Sequence, residues 1–314
     1  MRRLDAFEEL TVKNYSEQVQ TQDIKDNAKD AYNETKEWLK GALYAVYLAK
    51  SEDGYSFDAA YFPSAQDASF DELGNVIPKD SSTASSVQLS HKWAVLLHGY
   101  TGWKEAMYEY AKYYVENGYN VLVPDLRCCG SSEGDFIGMG LTDAKDVNEI
   151  WISYILKKDP NAQIVLHGQS MGAATALIMS GDNTLPANVK AIVSDAAYTD
   201  AYSMFGDKAY KWFSLPPFPI VDSACLMLVL RGGYNLKEAS PIDAVSQSHT
   251  PTLFMHGSMD AMIDVSMASQ LFDSATCKKE LQIFEGSGHA QNQDKDPELF
   301  YGTITSFLSK YISD

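Results

Sequence analysis

From Trp93 onward the chain alternates compact apolar runs with longer stretches of helical spacing. Trp93–Leu97 precedes Glu105–Asn117, Val121–Val123 precedes Leu141–Lys157, and Ile164–Leu166 precedes Gly172–Met179. Ala191–Ser194, Thr252–Met255 and Leu281–Phe284 read as further strands, and Pro297–Tyr311 reads as a closing helix. Parallel strands need a crossover connection that a helix supplies, so this rhythm predicts an α/β fold with a mostly parallel, doubly wound sheet. Upstream, Leu43–Leu48 and Phe57–Phe62 read as two short strands about the turn Ser51-Glu52-Asp53-Gly54. Pro63–Ser90, rich in Ser, Asp, Ala and Pro, reads as a surface loop.

Two stretches depart from the rhythm. Residues 1–40 are polar, with apolar residues at roughly helical spacing, and read as an N-terminal helical extension to a main domain over 41–314. Between about 199 and 248 the strands give way to Tyr202, Phe205, Tyr210, Trp212, Phe213 and Phe218 among several prolines. A linker has no reason to carry so much apolar surface, so this stretch is expected to be an inserted cap.

The net charge of −17 over 314 residues, with no compact Lys/Arg run, argues against nucleic acid or an anionic membrane as partner. No run of about 18 apolar residues occurs, so no membrane span is expected. Asp5, Glu8 and Glu9 interrupt the place where a leader's apolar stretch would lie, and a cytoplasmic protein is expected. Cys128, Cys129, Cys225 and Cys277 show no zinc-type spacing and read as reduced thiols, with no metal.

The chemistry concentrates at four strand ends. Gly168-Gln169-Ser170-Met171-Gly172 lies between an apolar strand and an Ala-rich helix, where its glycines permit a sharp turn that exposes the serine at a helix N-terminus. Leu97-His98-Gly99-Tyr100-Thr101-Gly102 runs from a strand into a loop able to donate a backbone N–H to an oxyanion. Asp260 follows the strand Thr252–Met255, and His289 in Gly286-Ser287-Gly288-His289 follows the last strand. The order Ser, Asp, His is that of a nucleophile, its orienting acid and its base on this architecture.

Other candidates carry plainer readings. Asp195 at a strand end and Asp264 are alternative acids, the latter placed to cap a helix. His98 and His167 read as structural, Glu133 as fixing a loop, Cys128 and Cys129 as small buried thiols, and His91 and His249 as solvated or capping.

On the segments LHGYTG (97–102), PDLRCCGSSEG (124–134), GQSMGAAT (168–175), HGSMDAMI (256–263) and GSGH (286–289), the chain resembles the α/β-hydrolases of the serine esterase and lipase type. Within them it resembles a bacterial branch that includes cinnamoyl and feruloyl esterases and Bem46-like hydrolases. The resemblance covers Leu43 to the C-terminus and implies Ser170 as nucleophile, Asp260 as triad acid and His289 as base. It also implies an oxyanion hole from the backbone N–H groups of Tyr100 and Met171, a nucleophile elbow at Gly168 and Gly172, and no cofactor. The family loop usually reads DxRGxGxS, often with His after the first Gly, and this chain places Cys128 and Cys129 at those two positions.

The expected activity is serine carboxylic-ester hydrolysis on a small-molecule ester with an apolar or aromatic acyl group, cinnamoyl or feruloyl esters being the sharpest case. Peptidase, amidase or acyl-thioesterase action on the same triad is the enzymatic alternative, and a non-catalytic hydrolase-like scaffold the alternative from another class. For the N-terminal helices, covering the core, joining a homodimer and following an anchor all stay open.

Overall fold

The computed structural model describes residues 21–79 and 87–313. Residues 1–20, half of the expected N-terminal extension, lie outside the described residues. The rest of it is one helix, α1 (Gln22–Leu39). Then come β1 (Ala45–Lys50), β2 (Ser56–Phe62), β3 (Ala68–Phe70), β4 (Val76–Pro78), β5 (Lys92–Leu97), α2 (Tyr108–Glu116), β6 (Asn120–Pro124), α3 (Leu141–Asp146) and α4 (Ser153–Lys158). The second half comprises β7 (Gln163–Gln169), α5 (Met171–Ser180), β8 (Val189–Asp195), α6 (Ala201–Phe213), α7 (Pro217–Gly232), α8 (Pro241–Val245), β9 (Thr252–Gly257), α9 (Ser266–Ser274), β10 (Lys279–Phe284), α10 (Asn292–Lys295) and α11 (Pro297–Leu308).

Eight strands form one sheet in the order β1-β2-β6-β5-β7-β8-β9-β10. β1 pairs antiparallel with β2 and β2 with β6, while every pairing from β6 through β10 is parallel. The central strands are buried on both faces, as strands covered by crossover helices must be. Alternation sorts their side chains into two cores. Trp93, Val95 and Leu97 pack with Trp151, Leu166 and Leu177 on one side. Ala94 and Leu96 pack with Tyr110, Tyr114, Phe300 and Phe307 on the other.

Pro63–Ser90 is not wholly loop. β3 and β4 pair as a short hairpin whose turn is held by the Asp71 carboxylate, which accepts the N–H groups of Leu73 (2.9 Å) and Asn75 (2.7 Å). Three-residue strands between Ser and Asp residues leave too little alternation to read. The stretch 141–157 is one continuous helical rod in which the wide turn Val147–Ile152 joins α3 to α4. The closing helix stops at Leu308.

The stretch 199–248 carries α6, α7, a 3-10 turn at Leu236–Glu238 and α8. Tyr202 and Lys237 both bond Asp222 and tie α6, α7 and that turn together. α7 buries Val221 and Cys225 but leaves Phe218 and Leu230 at 74 % and 70 % exposure, so it is apolar on its outer face as well. The Lys208 ammonium on α6 donates to the Ala261 carbonyl (3.0 Å), which sets this helix beside the loop that follows β9. Among the described residues no helix is long and apolar enough to cross a membrane.

Candidate active site

Open parallel sheets place their ligand sites at the carboxyl ends of the strands. β5, β7, β8, β9 and β10 deliver Gly99, Ser170, Asp195, Asp260 and His289 there. Between β7 and α5 the chain must reverse within two residues. Ser170 takes φ +56° and ψ −116°, a sparsely populated region for a side chain that is not glycine. Its N–H is held by the Asp195 carbonyl at 2.7 Å. The flanking glycines are dictated by space: a methyl on Gly172 would lie 2.0 Å from the Leu97 carbonyl oxygen, and one on Gly168 would lie 2.2 Å from Gly172.

Ser170 Oγ lies 2.9 Å from His289 Nε2, and His289 Nδ1 lies 2.7 Å from Asp260 Oδ2. The other oxygen of Asp260 accepts the N–H groups of Met262 (2.8 Å) and Ile263 (2.7 Å). Burial alone would push this carboxyl's pKa up. The hydrogen bonds from His256 and His289 outweigh it and hold the pKa well below the usual carboxylate range. Asp260 is therefore ionised and the imidazole is oriented with Nε2 toward the serine.

The Gly99 backbone rests against Ser170, since a methyl there would lie 3.5 Å from Ser170 Cβ. Tyr100 is the next residue. Met171 opens α5 directly after Ser170, and the first N–H of a helix has no intrahelical acceptor. The loop carrying Tyr100 is anchored from below. His98 is buried, its Nδ1 is 2.8 Å from the Gly99 carbonyl, and its Nε2 accepts the Leu126 N–H at 3.0 Å. Burial lowers its pKa, which suits a neutral spacer rather than a titrating group.

The alternative acids separate by surroundings. Asp264 accepts the Ser266 N–H (3.0 Å) in the turn that enters α9, one residue ahead of Val265, which holds the N-cap place expected of Asp264 itself. Asp195 is buried with one oxygen on Asn292 Nδ2 (2.5 Å) and the other without a partner. Burial pushes its carboxyl up to about 6. His167 is buried against Tyr110 and Tyr114, its pKa pushed down to about 3 by desolvation. Glu133 accepts the Ser56 N–H at 2.8 Å and so fixes its loop.

The two loop cysteines differ from expectation. Cys129 is buried and its thiol is pushed up to about 12 by burial, but Cys128 is exposed. Cys128 adopts φ +60°, the left-handed conformation that the glycine of the family loop would take. It therefore turns its side chain outward. All four cysteines are free thiols. Among the described residues no group of three His, Cys, Asp or Glu side chains is placed to hold a metal ion.

Two buried groups at this edge lay outside the sequence reading. His256, four residues before Asp260, places Nε2 2.9 Å from the Ile263 carbonyl and 3.1 Å from Asp260 Oδ2. Lys104 sits 2.6 Å from both Asp58 and Asp125 beneath the Tyr100 loop. The pairing of a histidine with Asp260 at i and i+4 was visible in HGSMD; Lys104 carried no such signal.

Residues 93–220 match the family model described as the alpha/beta hydrolase fold. The chain is 28 % identical over 214 residues to the uncharacterised protein YqkD of Bacillus subtilis (strain 168), covering 68 % of this chain and 70 % of that one. It is 25 % identical over 198 residues to the alpha/beta hydrolase domain-containing protein WAV2 of Arabidopsis thaliana, covering 61 % of each. The structure superposes on the Pyrococcus furiosus esterase Pf2001 with a TM-score of 0.65 at 18 % identity, covering 87 % of this chain and 94 % of that one. Sheet order, the turn at Ser170, the family model over 93–220 and the superposition agree on one architecture: the chain has the α/β-hydrolase fold.

Proposed function

We propose that the protein is a serine carboxylic-ester hydrolase that works through an acyl-enzyme, with Ser170, His289 and Asp260 as its triad. The observation that carries this reading is the unbroken chain of 2.9 Å and 2.7 Å contacts from Ser170 Oγ through the His289 ring to a buried, ionised Asp260. A serine hydroxyl is a weak nucleophile until an imidazole takes its proton. His289 Nε2 accepts that proton as Oγ attacks the ester carbonyl, and Asp260 stabilises the imidazolium that results. The tetrahedral oxyanion is received by the N–H groups of Tyr100 and Met171. His289 then protonates the leaving alcohol, and water, deprotonated by the same imidazole, releases the acid. Serine acyl transfer of this kind uses protein groups alone, without metal or organic cofactor.

In this reading α6 to α8 form a cap. Lys208 ties the cap to the loop that carries Asp260, and Tyr210, Phe213 and Phe218 remain exposed on it. Large rings give contact area at small entropic cost, which favours an ester with an apolar or aromatic acyl group, such as a cinnamoyl or feruloyl ester. The test is labelling with a fluorophosphonate and localisation of the adduct by mass spectrometry, alongside turnover of p-nitrophenyl acetate, methyl acetate and methyl ferulate. The expected result is an adduct on Ser170 and turnover lost in Ser170→Ala and His289→Ala. An adduct elsewhere, or turnover unchanged in Ser170→Ala, overturns the assignment. Faster turnover of methyl acetate than of methyl ferulate, two esters with one leaving group, overturns the aromatic-acyl preference alone.

A further inference from the structure

Asp260 lies within reach of two imidazoles, and the triad uses only one. His256 is the penultimate residue of β9, in the fully buried run Thr252–Gly257. Its Nε2 lies between the Ile263 carbonyl (2.9 Å) and Asp260 Oδ2 (3.1 Å), while Ile263 N–H donates to Asp260 Oδ1 (2.7 Å). The contacts close a ring: the imidazole holds the backbone of Ile263 from one side, Ile263 holds one carboxylate oxygen, and the imidazole approaches the other. Nδ1 of His256 is buried with no partner, so the hydrogen bond to Ile263 keeps the ring proton on Nε2. A histidine kept only for packing would have no reason to sit on the same oxygen that His289 uses.

We propose that His256 is a positioning residue for the triad, a second imidazole that fixes the Asp260 carboxylate and shares its charge with His289. The proposal rests on the ester-hydrolase reading for its consequence in catalysis, but its electrostatic content is independent of turnover. The titratable and charged groups around this ring are Asp260 and His289, Asp195 from β8, Asp264 before α9, and the Lys208 ammonium on the Ala261 carbonyl. Of these, Asp260 alone touches both imidazoles.

The sign follows from charge sharing. Without the His256 donor, the negative charge of Asp260 falls more fully on His289, whose protonated form is then favoured. The titration midpoint of the His289 ring rises, and the acidic limb of kcat/KM rises with it. His256→Phe keeps the ring volume and removes the donor. His256→Gln offers an amide N–H₂ near the place of Nε2, able to reach both Ile263 and Asp260.

The experiment is ¹⁵N NMR titration of the histidine rings in the labelled parent, His256→Phe and His256→Gln, with ester turnover on the same samples. The expected result is a midpoint for His289 raised by about half a pH unit or more in His256→Phe and restored in His256→Gln. In turnover, kcat falls about tenfold in His256→Phe with KM little changed, and glutamine restores it. An unmoved midpoint in a folded His256→Phe overturns the proposal. Should that variant fail to fold, the parent decides: the His256 ring signals must shift at the midpoint of His289, and silence there overturns the proposal too. A raised midpoint in protein that turns over no ester would leave the brace standing and remove the hydrolase reading. Turnover that depends on Ser170 with an unmoved midpoint would do the reverse.

Discussion

Lys104→Met tests what holds the loop that carries Tyr100. The Lys104 ammonium is 1 % exposed and sits 2.6 Å from Asp58 Oδ1 and 2.6 Å from Asp125 Oδ2. Asp125 also accepts the backbone N–H of Lys104 (2.6 Å) and of Ser131 (2.9 Å), so one ion cluster pins the segment after β5 to the loop after β6. Burial opposes the lysine's charge, but the two carboxylates outweigh it and raise its pKa. A raised pKa on a lysine means that its stabilisation is complete below the unfolded value and is lost only as pH rises through the folded one, so at pH 8 it is fully present. Methionine keeps most of the volume and strands two buried carboxylates. Breaking a buried pair from one side costs about 3 to 5 kcal/mol. At about 2.1 cal/mol/K of unfolding entropy per residue, that corresponds to a Tm lower by about 5 to 8 °C for a chain of this length. Calorimetry at pH 8 and pH 5 separates charge from packing. Stranded carboxylates take up protons as pH falls, so the deficit must shrink toward pH 5, and adding Asp58→Asn must return a good part of it at pH 8. A deficit equal at both pH values, or one below about 1 kcal/mol at pH 8, would refute the electrostatic account.

Three further outcomes are expected. Asp260→Asn keeps an oxygen for the Met262 and Ile263 N–H groups but turns an amide donor toward His289 Nδ1, so kcat on p-nitrophenyl acetate falls about 10⁴-fold while circular dichroism stays unchanged. Asp195→Asn is more stable than the parent at pH 8 by about 3 kcal/mol in urea unfolding and equal to it near pH 3, because a carboxyl held at about 6 loses stability as pH rises from its unfolded value through that one. Gly172→Ala drives a methyl to 2.0 Å from the Leu97 carbonyl, a backbone atom that cannot step aside, and soluble expression or thermal melting records a loss of at least about 4 kcal/mol.

The inner parallel strands were legible because strands buried on both faces must be continuous apolar runs, and 93–97, 121–123, 164–166, 191–194 and 252–255 all fall within observed strands, while 281–284 falls within the partly buried edge strand β10. β3 and β4 were illegible because three residues cannot display a period of two against a background of Ser and Asp. Ser170, Asp260 and His289 could be named from sequence because each sits in a short Gly-bearing loop directly after a strand. The ion cluster of Lys104 with Asp58 and Asp125 could not, since its members are separated by 21 and 46 positions or more and share no motif. Cys128 and Cys129 look equivalent in sequence. Only the left-handed backbone at Cys128 sends one thiol out and leaves the other buried.

The choice between Asp195 and Asp260 shows what separates two like residues at one sheet edge. Asp195 ends one parallel strand and Asp260 follows another, both side chains are closed off from solvent, and the carbonyl of Asp195 even holds the N–H of Ser170. Position alone does not rank them. Asp260 receives two backbone N–H groups and His289, with His256 on the same oxygen, so its negative charge is solvated by the protein. Asp195 has one amide donor and an oxygen with no partner, so desolvation wins and its carboxyl is held at about 6. A carboxyl that is neutral for part of the working pH range cannot hold an imidazole in one orientation, whereas one ionised throughout can. The same difference keeps the second acid from competing with the first: above pH 6 two full charges would share this edge, and the environment that denies donors to Asp195 makes it the one to hold a proton.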